Sequence, residues 1–280
     1  MKQRVITGIV IILILIPIFL SKMLYDINHY IYILGFILAI IAMNEMISMK
    51  ESEKNLPFEI HLLAYLSVIY ISFYESLGDI FSFQVKESIN ILPYIIIILT
   101  IAMVLRKKFK IVDASFMLFA IFYIGLTFHS LVYYLLAENG MYVLLYLILI
   151  AMFTDTFAYF SGTLFGKHKL CPSISPKKTI EGSLGGTIIA TILVSIYAIF
   201  SHKIDFLFDN SMIYIIGLTF VLSILSQFGD LAASVLKRHY KIKDYGNLFP
   251  GHGGVLDRLD SILFVSLTYY YITEFLTLVF

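Results

Sequence analysis

The stretch Met141 to Ser161, MYVLLYLILIAMFTDTFAYFS, decides what kind of molecule this chain is. As far as Phe153 it is apolar apart from two tyrosines, and its length matches the about 20 residues that a helix needs to cross the hydrocarbon of a bilayer. Asp155 stands inside it. An acid at the bilayer centre costs about 2.5–3.5 kcal/mol on insertion scales, and such residues face a bundle interior, a wet cavity or a partner. A helix of this kind belongs in a membrane-embedded bundle.

The same pattern recurs outward in both directions, at 5–22, 28–48, 58–75, 88–105, 113–136, 141–161, 180–200, 212–235 and 259–279. Composition agrees: 60% of the residues are hydrophobic and 14% charged, against about 45–50% and about 25% for soluble domains. The expectation is an all-α, polytopic helical membrane protein of about nine transmembrane helices without a separate soluble domain. The 113–136 block is long enough to be tilted or to hold a re-entrant piece, which spreads the count over eight to ten. Residues 1–140 read as a lipid-facing scaffold and 141–280 as the catalytic region. Lys2 and Arg4 ahead of an apolar run resemble the start of a signal peptide, but no small-x-small cleavage site follows, so a retained first span is expected. Cys171 is the single cysteine and excludes an intrachain disulfide.

Orientation follows from lysine and arginine in the short loops. With the N-terminus in the cytoplasm, that side holds Lys2, Arg4, Lys50, Lys54, the 106–110 cluster, Lys167, Lys169, Lys177, Lys178, Lys237, Arg238, Lys241, Lys243 and Arg258. The opposite loops hold only Lys22, Lys86 and Lys203. Every dense polar motif then faces the cytoplasm. A net charge of +1 gives no ground for a nucleic-acid partner, and none is expected.

Three constellations stand out. Asp155-Thr156 through Gly162 closes the sixth block; its structural alternative is a GxxxG packing contact through Gly162 and Gly166. Ser173 to Gly186, SISPKKTIEGSLGG, sets two lysines and three hydroxyls before a helix start, whose free N–H groups and positive dipole end form a phosphate receptor. Its alternative is a positive-inside loop with a second GxxxG at Gly182 and Gly186; a Walker A loop is absent. The third runs from Ser226-Gln227-Phe228-Gly229-Asp230 through Lys237 and Arg238 to Gly251-His252-Gly253-Gly254-Val255-Leu256-Asp257-Arg258-Leu259-Asp260. Helix capping explains one aspartate of the Asp257/Asp260 pair but not the intramembrane Asp230. Carboxylates converging in a poorly hydrated site need a cation, and without cysteine clusters or paired histidines the oxygen donors point to Mg²⁺. Together with the lysines, arginines and glycines they describe phosphoryl or nucleotidyl transfer. His252 reads as a structural or phosphate-contacting group, Glu45 and Asp113 as interfacial caps, and His129 as a packed polar residue.

From Ser234-Val235-Leu236-Lys237-Arg238 through Lys243-Asp244, Gly246 and Phe249-Pro250-Gly251 to Asp260, the sequence resembles the signature of the phosphatidate cytidylyltransferase, or CDP-diacylglycerol synthase, family. Asp155-Thr156 with Ala158-Tyr159, and Ser175-Pro176-Lys177-Lys178-Thr179 with Glu181-Gly182, resemble it too. The resemblance is specific from about 150 to 262. It implies a Mg²⁺-dependent reaction of CTP with phosphatidate to give CDP-diacylglycerol and pyrophosphate, with K⁺ admitted as a companion ion. By resemblance Asp230 and Asp257 are metal ligands, and Lys237, Arg238 and Asp260 join them as catalytic residues. Asp155, Ser175, Lys177, Lys178, Thr179, His252, Gly253, Gly254 and Arg258 are implied in substrate binding. A multi-pass protein of a bacterial inner membrane with a cytoplasmic-face site follows, and a homodimer is compatible with it. A transporter remains an alternative from another class, although the outer halves of the spans are nearly featureless, and a CTP-dependent lipid kinase is the nearer rival.

Overall fold

The computed structural model describes residues 28–81, 88–201, 212–251 and 253–279, together with 13, 16–22, 24, 25, 203 and 204. The expected first span, 5–22, and His252 lie wholly or largely outside the described residues.

Among the described residues the elements are α1 (His29–Glu51), α2 (Phe58–Phe81), a 3-10 turn (Ser88–Ile91), α3 (Leu92–Leu105), α4 (Ile111–Leu136), α5 (Gly140–Phe165), β1 (Lys169–Cys171), β2 (Ser175–Thr179), α6 (Ile180–Ser201), α7 (Met212–His239) and α8 (Leu256–Val279). Six of them, α1 and α4 to α8, are long and apolar enough to cross a membrane. The chain is therefore a polytopic helical membrane protein. The 88–105 block differs from expectation: it opens as a 3-10 turn, and Pro93 sits in the first turn of a helix of 14 residues. Helix α2 breaks at Phe73 (φ −131°, ψ 19°). The all-α expectation also needs one addition, the antiparallel hairpin β1–β2, which pairs Lys169 with Thr179 and Cys171 with Ser175.

The chain forms two compact units, one holding α1 to α4 with Asp244–Asp257, the other holding α5 to α7, the hairpin and Arg258 onward. In the first, Gly125 of α4 lies against Ile71 of α2, and Gly35 of α1 against Val132. Asp113 caps the start of α4 as expected, accepting the Lys110 N–H at 2.9 Å, and being buried it also binds Lys50 at 3.0 Å and Lys54 at 2.7 Å, because a buried carboxylate needs cations close by. His129 is packed as expected, its ring 4.9 Å from that of Tyr74.

The second unit has a core of Tyr146, Leu147, Ile150, Val194, Ile215, Leu222 and Val265. Its helices are also joined by polar contacts, Tyr146 to Thr219 at 2.8 Å and Thr154 to Ser223 at 2.7 Å. In a membrane each such bond contributes about 0.6 kcal/mol, so they select register more than they add stability. Helices α5 and α6 approach closely because their facing positions are small. A Cβ on Gly186 would stand 2.6 Å from the Thr154 carbonyl oxygen, and one on Gly182 would stand 2.6 Å from that of Ala158. The packing alternative for these glycines is thus correct, and the close approach brings the polar ends of both helices together.

Candidate active site

The end of α5, the hairpin, the start of α6 and the last turns of α7 surround a cavity of about 630 Å³. Asp155, Tyr159 and Thr163 reach it from α5, and Lys169 and Leu170 from β1. Ser175, Lys177, Lys178 and Thr179 line it from β2, Ser183 from α6, and Gln227 and Asp230 from α7. Such a volume lies within the about 300–1,000 Å³ typical of small-molecule sites.

Local chemistry holds each wall in place. Thr179 is the N-cap of α6, its Oγ1 accepting the Gly182 N–H at 3.2 Å. The Ile180 N–H donates to the His168 carbonyl at 2.9 Å. Two N–H groups expected to be free for phosphate are therefore already used, since a helix end buried in a packed hairpin satisfies its own donors first. Glu181 accepts the N–H groups of Lys167 at 3.1 Å and His168 at 3.2 Å and meets the His168 ring at 2.6 Å, tying the root of β1 to α6. Side-chain charge is supplied by Lys177, which is exposed, and by Lys178, which is half-buried and ion-paired with Asp230. Beside that pair, Gln227 donates to Thr187 Oγ1 at 2.8 Å and accepts from Ser183 Oγ at 2.6 Å, which fixes its amide and the facing turn of α6.

Six of the residues singled out in the sequence thus share one cavity: Asp155, Ser175, Lys177, Lys178, Thr179 and Asp230. Others in the same unit do not line it. Lys237 and Arg238 occupy the last turn of α7, where the Arg238 guanidinium donates to the Ile242 carbonyl at 3.3 Å. Asp260, in the first turns of α8, accepts the Ser261 N–H at 2.8 Å, and Arg258 is exposed.

The remaining group, Gly253, Gly254 and Asp257, belongs to the first unit. Gly253 has φ +85°, a conformation that a side chain would strain. The Phe249 and Gly253 backbones exchange hydrogen bonds of 2.9 and 3.1 Å, closing a tight turn. Asp257 Oδ2 accepts the Tyr245 N–H at 2.6 Å and the Gly254 N–H at 3.0 Å. Glu45, expected as an interfacial cap, is instead buried, and its carboxylate accepts the N–H groups of Val255 at 2.8 Å and Leu256 at 2.9 Å. The helix end it caps is that of α8, because an anion is stabilised by the positive end of a helix dipole.

The model of the Cytidylyltransferase family matches residues 2–276. The chain belongs to that family. Among curated relatives, the phosphatidate cytidylyltransferase of Staphylococcus haemolyticus (strain JCSC1435) is 36% identical over 267 residues, 95% of this chain and 96% of the relative. Proteins of the same name from Staphylococcus aureus (strain COL) and Staphylococcus epidermidis (strain ATCC 12228 / FDA PCI 1200) are 35% and 36% identical, again over 95% of this chain.

The cavity lining combines cationic side chains (Lys169, Lys177, Lys178) with acidic ones (Asp155, Asp230). From sequence alone, Ser183, Gln227 and Tyr159 stand within the motifs without a place in the site, and Glu45 reads only as an interfacial cap. Gln227 was within reach, because it stands three residues before Asp230 and so shares its helix face. Glu45 carried no such local signal.

Proposed function

We propose that this cytidylyltransferase transfers the cytidylyl group of CTP to phosphatidate, giving CDP-diacylglycerol and pyrophosphate in phospholipid biosynthesis. The observation that carries the reading is the cavity itself, in which lysines and carboxylates of the family's own segments converge in a chain that matches the named relatives over 95% of its length. A phosphate oxygen of phosphatidate attacks the α-phosphorus of CTP, a new P–O bond forms, and the bond to the β-phosphate oxygen breaks to release pyrophosphate. A phosphate monoester is largely dianionic at neutral pH, its second pKa being about 6, so the nucleophile needs no strong base. Lys177 and Lys178 bind the phosphates, with Lys178 passing from Asp230 to substrate as CTP enters.

The donor set supports Mg²⁺ completed by substrate. Asp155 and Asp230 offer hard oxygen ligands on one cavity wall, and among the described residues no group of three or more acidic, histidine or cysteine side chains forms an enclosed cage. Mg²⁺ is held through one or two carboxylates plus substrate phosphates and waters, so two carboxylates are a sufficient protein contribution. When bound, the ion supplies charge neutralisation at the departing pyrophosphate. By resemblance Asp230 and Asp257 are proposed as its ligands, with K⁺ admitted beside it and Asp155 completing the centre; Lys237, Arg238 and Asp260 are proposed as further catalytic residues, and His252, Gly253, Gly254 and Arg258 as further substrate-binding ones. The charge alternation of the loops supports nine spans, a cytoplasmic N-terminus and a site on the cytoplasmic face of the inner membrane, where soluble CTP and a bilayer lipid can meet.

Purified protein with phosphatidate, Mg²⁺ and CTP labelled at either the α- or the γ-phosphorus tests the reading. Label from the α-position enters the lipid and label from the γ-position does not; the reverse pattern identifies a lipid kinase and overturns the proposal.

A further inference from the structure

Glu45 lies near the end of α1 and is 5% exposed. Both its oxygens are engaged, Oε1 by the Val255 N–H at 2.8 Å and Oε2 by the Leu256 N–H at 2.9 Å, across 210 and 211 residues of chain. These are donors that the start of α8 leaves without partners inside the helix. Glycine makes room for the carboxylate: a Cβ on Gly246 would stand 2.7 Å from Oε1, and a Cβ on Gly254 would stand 2.5 Å from Cδ. On the other side of the same loop, Asp257 Oδ2 holds the N–H groups of Tyr245 and Gly254. The segment from Tyr245 to Leu256 is thus laced between two carboxylates, one from α1 and one from α8.

Stability alone does not call for this arrangement. An asparagine, aspartate or serine at position 255 would cap α8 locally, whereas valine is among the poorest residues there. Removing a carboxylate from water is costly, and a buried charge is weak evidence for stability. A local cap is replaced by a remote one, and what the replacement adds is a fixed relation between α1 and the loop that carries Asp257.

We infer that Glu45 is the positioning residue for this segment: it sets the path of residues 245 to 256 and, through Gly254, the direction of the Asp257 carboxylate. The inference rests on the reading of Asp257 as a carboxylate of cytidylyl transfer. Both oxygens of Glu45 are taken by backbone N–H groups, so its effect on the site runs through the loop.

The test combines amide exchange, turnover and steric rescue in the full-length protein in detergent. Glu45→Gln is nearly isosteric, yet an amide has one acceptor oxygen and turns its NH₂ toward the other backbone N–H. Exchange at whichever of the Val255 and Leu256 amides then faces the NH₂ is expected to accelerate at least about tenfold as its protection is lost. Turnover should fall at least about tenfold with Asp257 misdirected, measured well below the unfolding midpoints of both proteins. Gly254→Ala puts a methyl on the Glu45 carboxylate and is expected to lose about 95% of activity, and Glu45→Asp, shorter by one methylene, added to it recovers at least about fivefold, a coupling that independent sites do not give. Unchanged exchange in Glu45→Gln overturns the inference. So does accelerated exchange with turnover within about twofold of wild type, the signature of a purely structural cap. A double variant no better than Gly254→Ala also overturns it. If the unsubstituted protein fails to label phosphatidate, the functional reading falls, while the exchange result still decides whether Glu45 holds the loop.

Discussion

The contact between α5 and α6 offers a perturbation whose size can be worked out. In Gly186→Ala the new Cβ would stand 2.6 Å from the Thr154 carbonyl oxygen and 2.8 Å from both the Ala158 nitrogen and its Cβ, where ordinary contact begins at 3.4 Å. Backbone on the facing helix cannot rotate aside, so α5 and α6 must part by about 0.8 Å, a strain of the kind that costs about 1–3 kcal/mol in a packed interior. Thr154 immediately precedes Asp155, and Ala158 lines the cavity, so the displacement enters the site directly. A misplacement of about 1 Å costs about a hundredfold in rate, and a loss of that order is expected here. Gly217→Ala in α7 is the control: nothing lies within 4 Å of its Cβ, and alanine there gains about 0.4–1 kcal/mol by restricting the unfolded chain. Transfer of α-labelled CTP to phosphatidate and heat-induced loss of the monodisperse peak in detergent read the two effects. If Gly186→Ala keeps more than half of wild-type activity and melts with Gly217→Ala, close packing does not position this site and the reasoning fails.

Thr179→Val removes the cap on Gly182 while keeping the shape, and is expected to cost about 0.5–2 kcal/mol of stability, whereas Thr179→Ser stays close to wild type; equal melting of the two would refute the capping role. Lys178→Met leaves Asp230 without its cation and CTP without a phosphate contact, and a rise in KM for CTP of about tenfold or more is expected; an unchanged KM would refute the phosphate contact. Asp257→Asn should abolish turnover in a protein that remains folded and membrane-inserted, whereas Asp260→Asn should be milder; near-normal turnover in Asp257→Asn would sink its assignment as a metal ligand.

The spans were legible because runs of about 20 apolar residues have few other physical explanations. Their ends were less so. Helix α7 continues to His239, past the expected 235, as the basic side chains of Lys237, Arg238 and His239 complement the negative end of its dipole. The hairpin was hidden because Ser175–Thr179 has no apolar alternation to announce a strand, and because a strand with Pro176 reads as a loop until its partner is known. Charge alone was enough to single out Lys177, Lys178, Asp155 and Asp230. Glu45 was out of reach, since its meaning lies in backbone donors about two hundred residues away and in the side chains that Gly246 and Gly254 lack.

That separation also orders events in time. Glu45 is synthesised 210 residues ahead of Val255, which at about 5–20 residues per second is an interval of about 10–40 s. Throughout that interval α1 holds a carboxylate whose partners do not yet exist. The bonds that tie the loop carrying Asp257 to α1 can form only once Val255 and Leu256 have been made. An α1 displaced from its place beside that loop would leave the Val255 and Leu256 N–H groups without the Glu45 carboxylate.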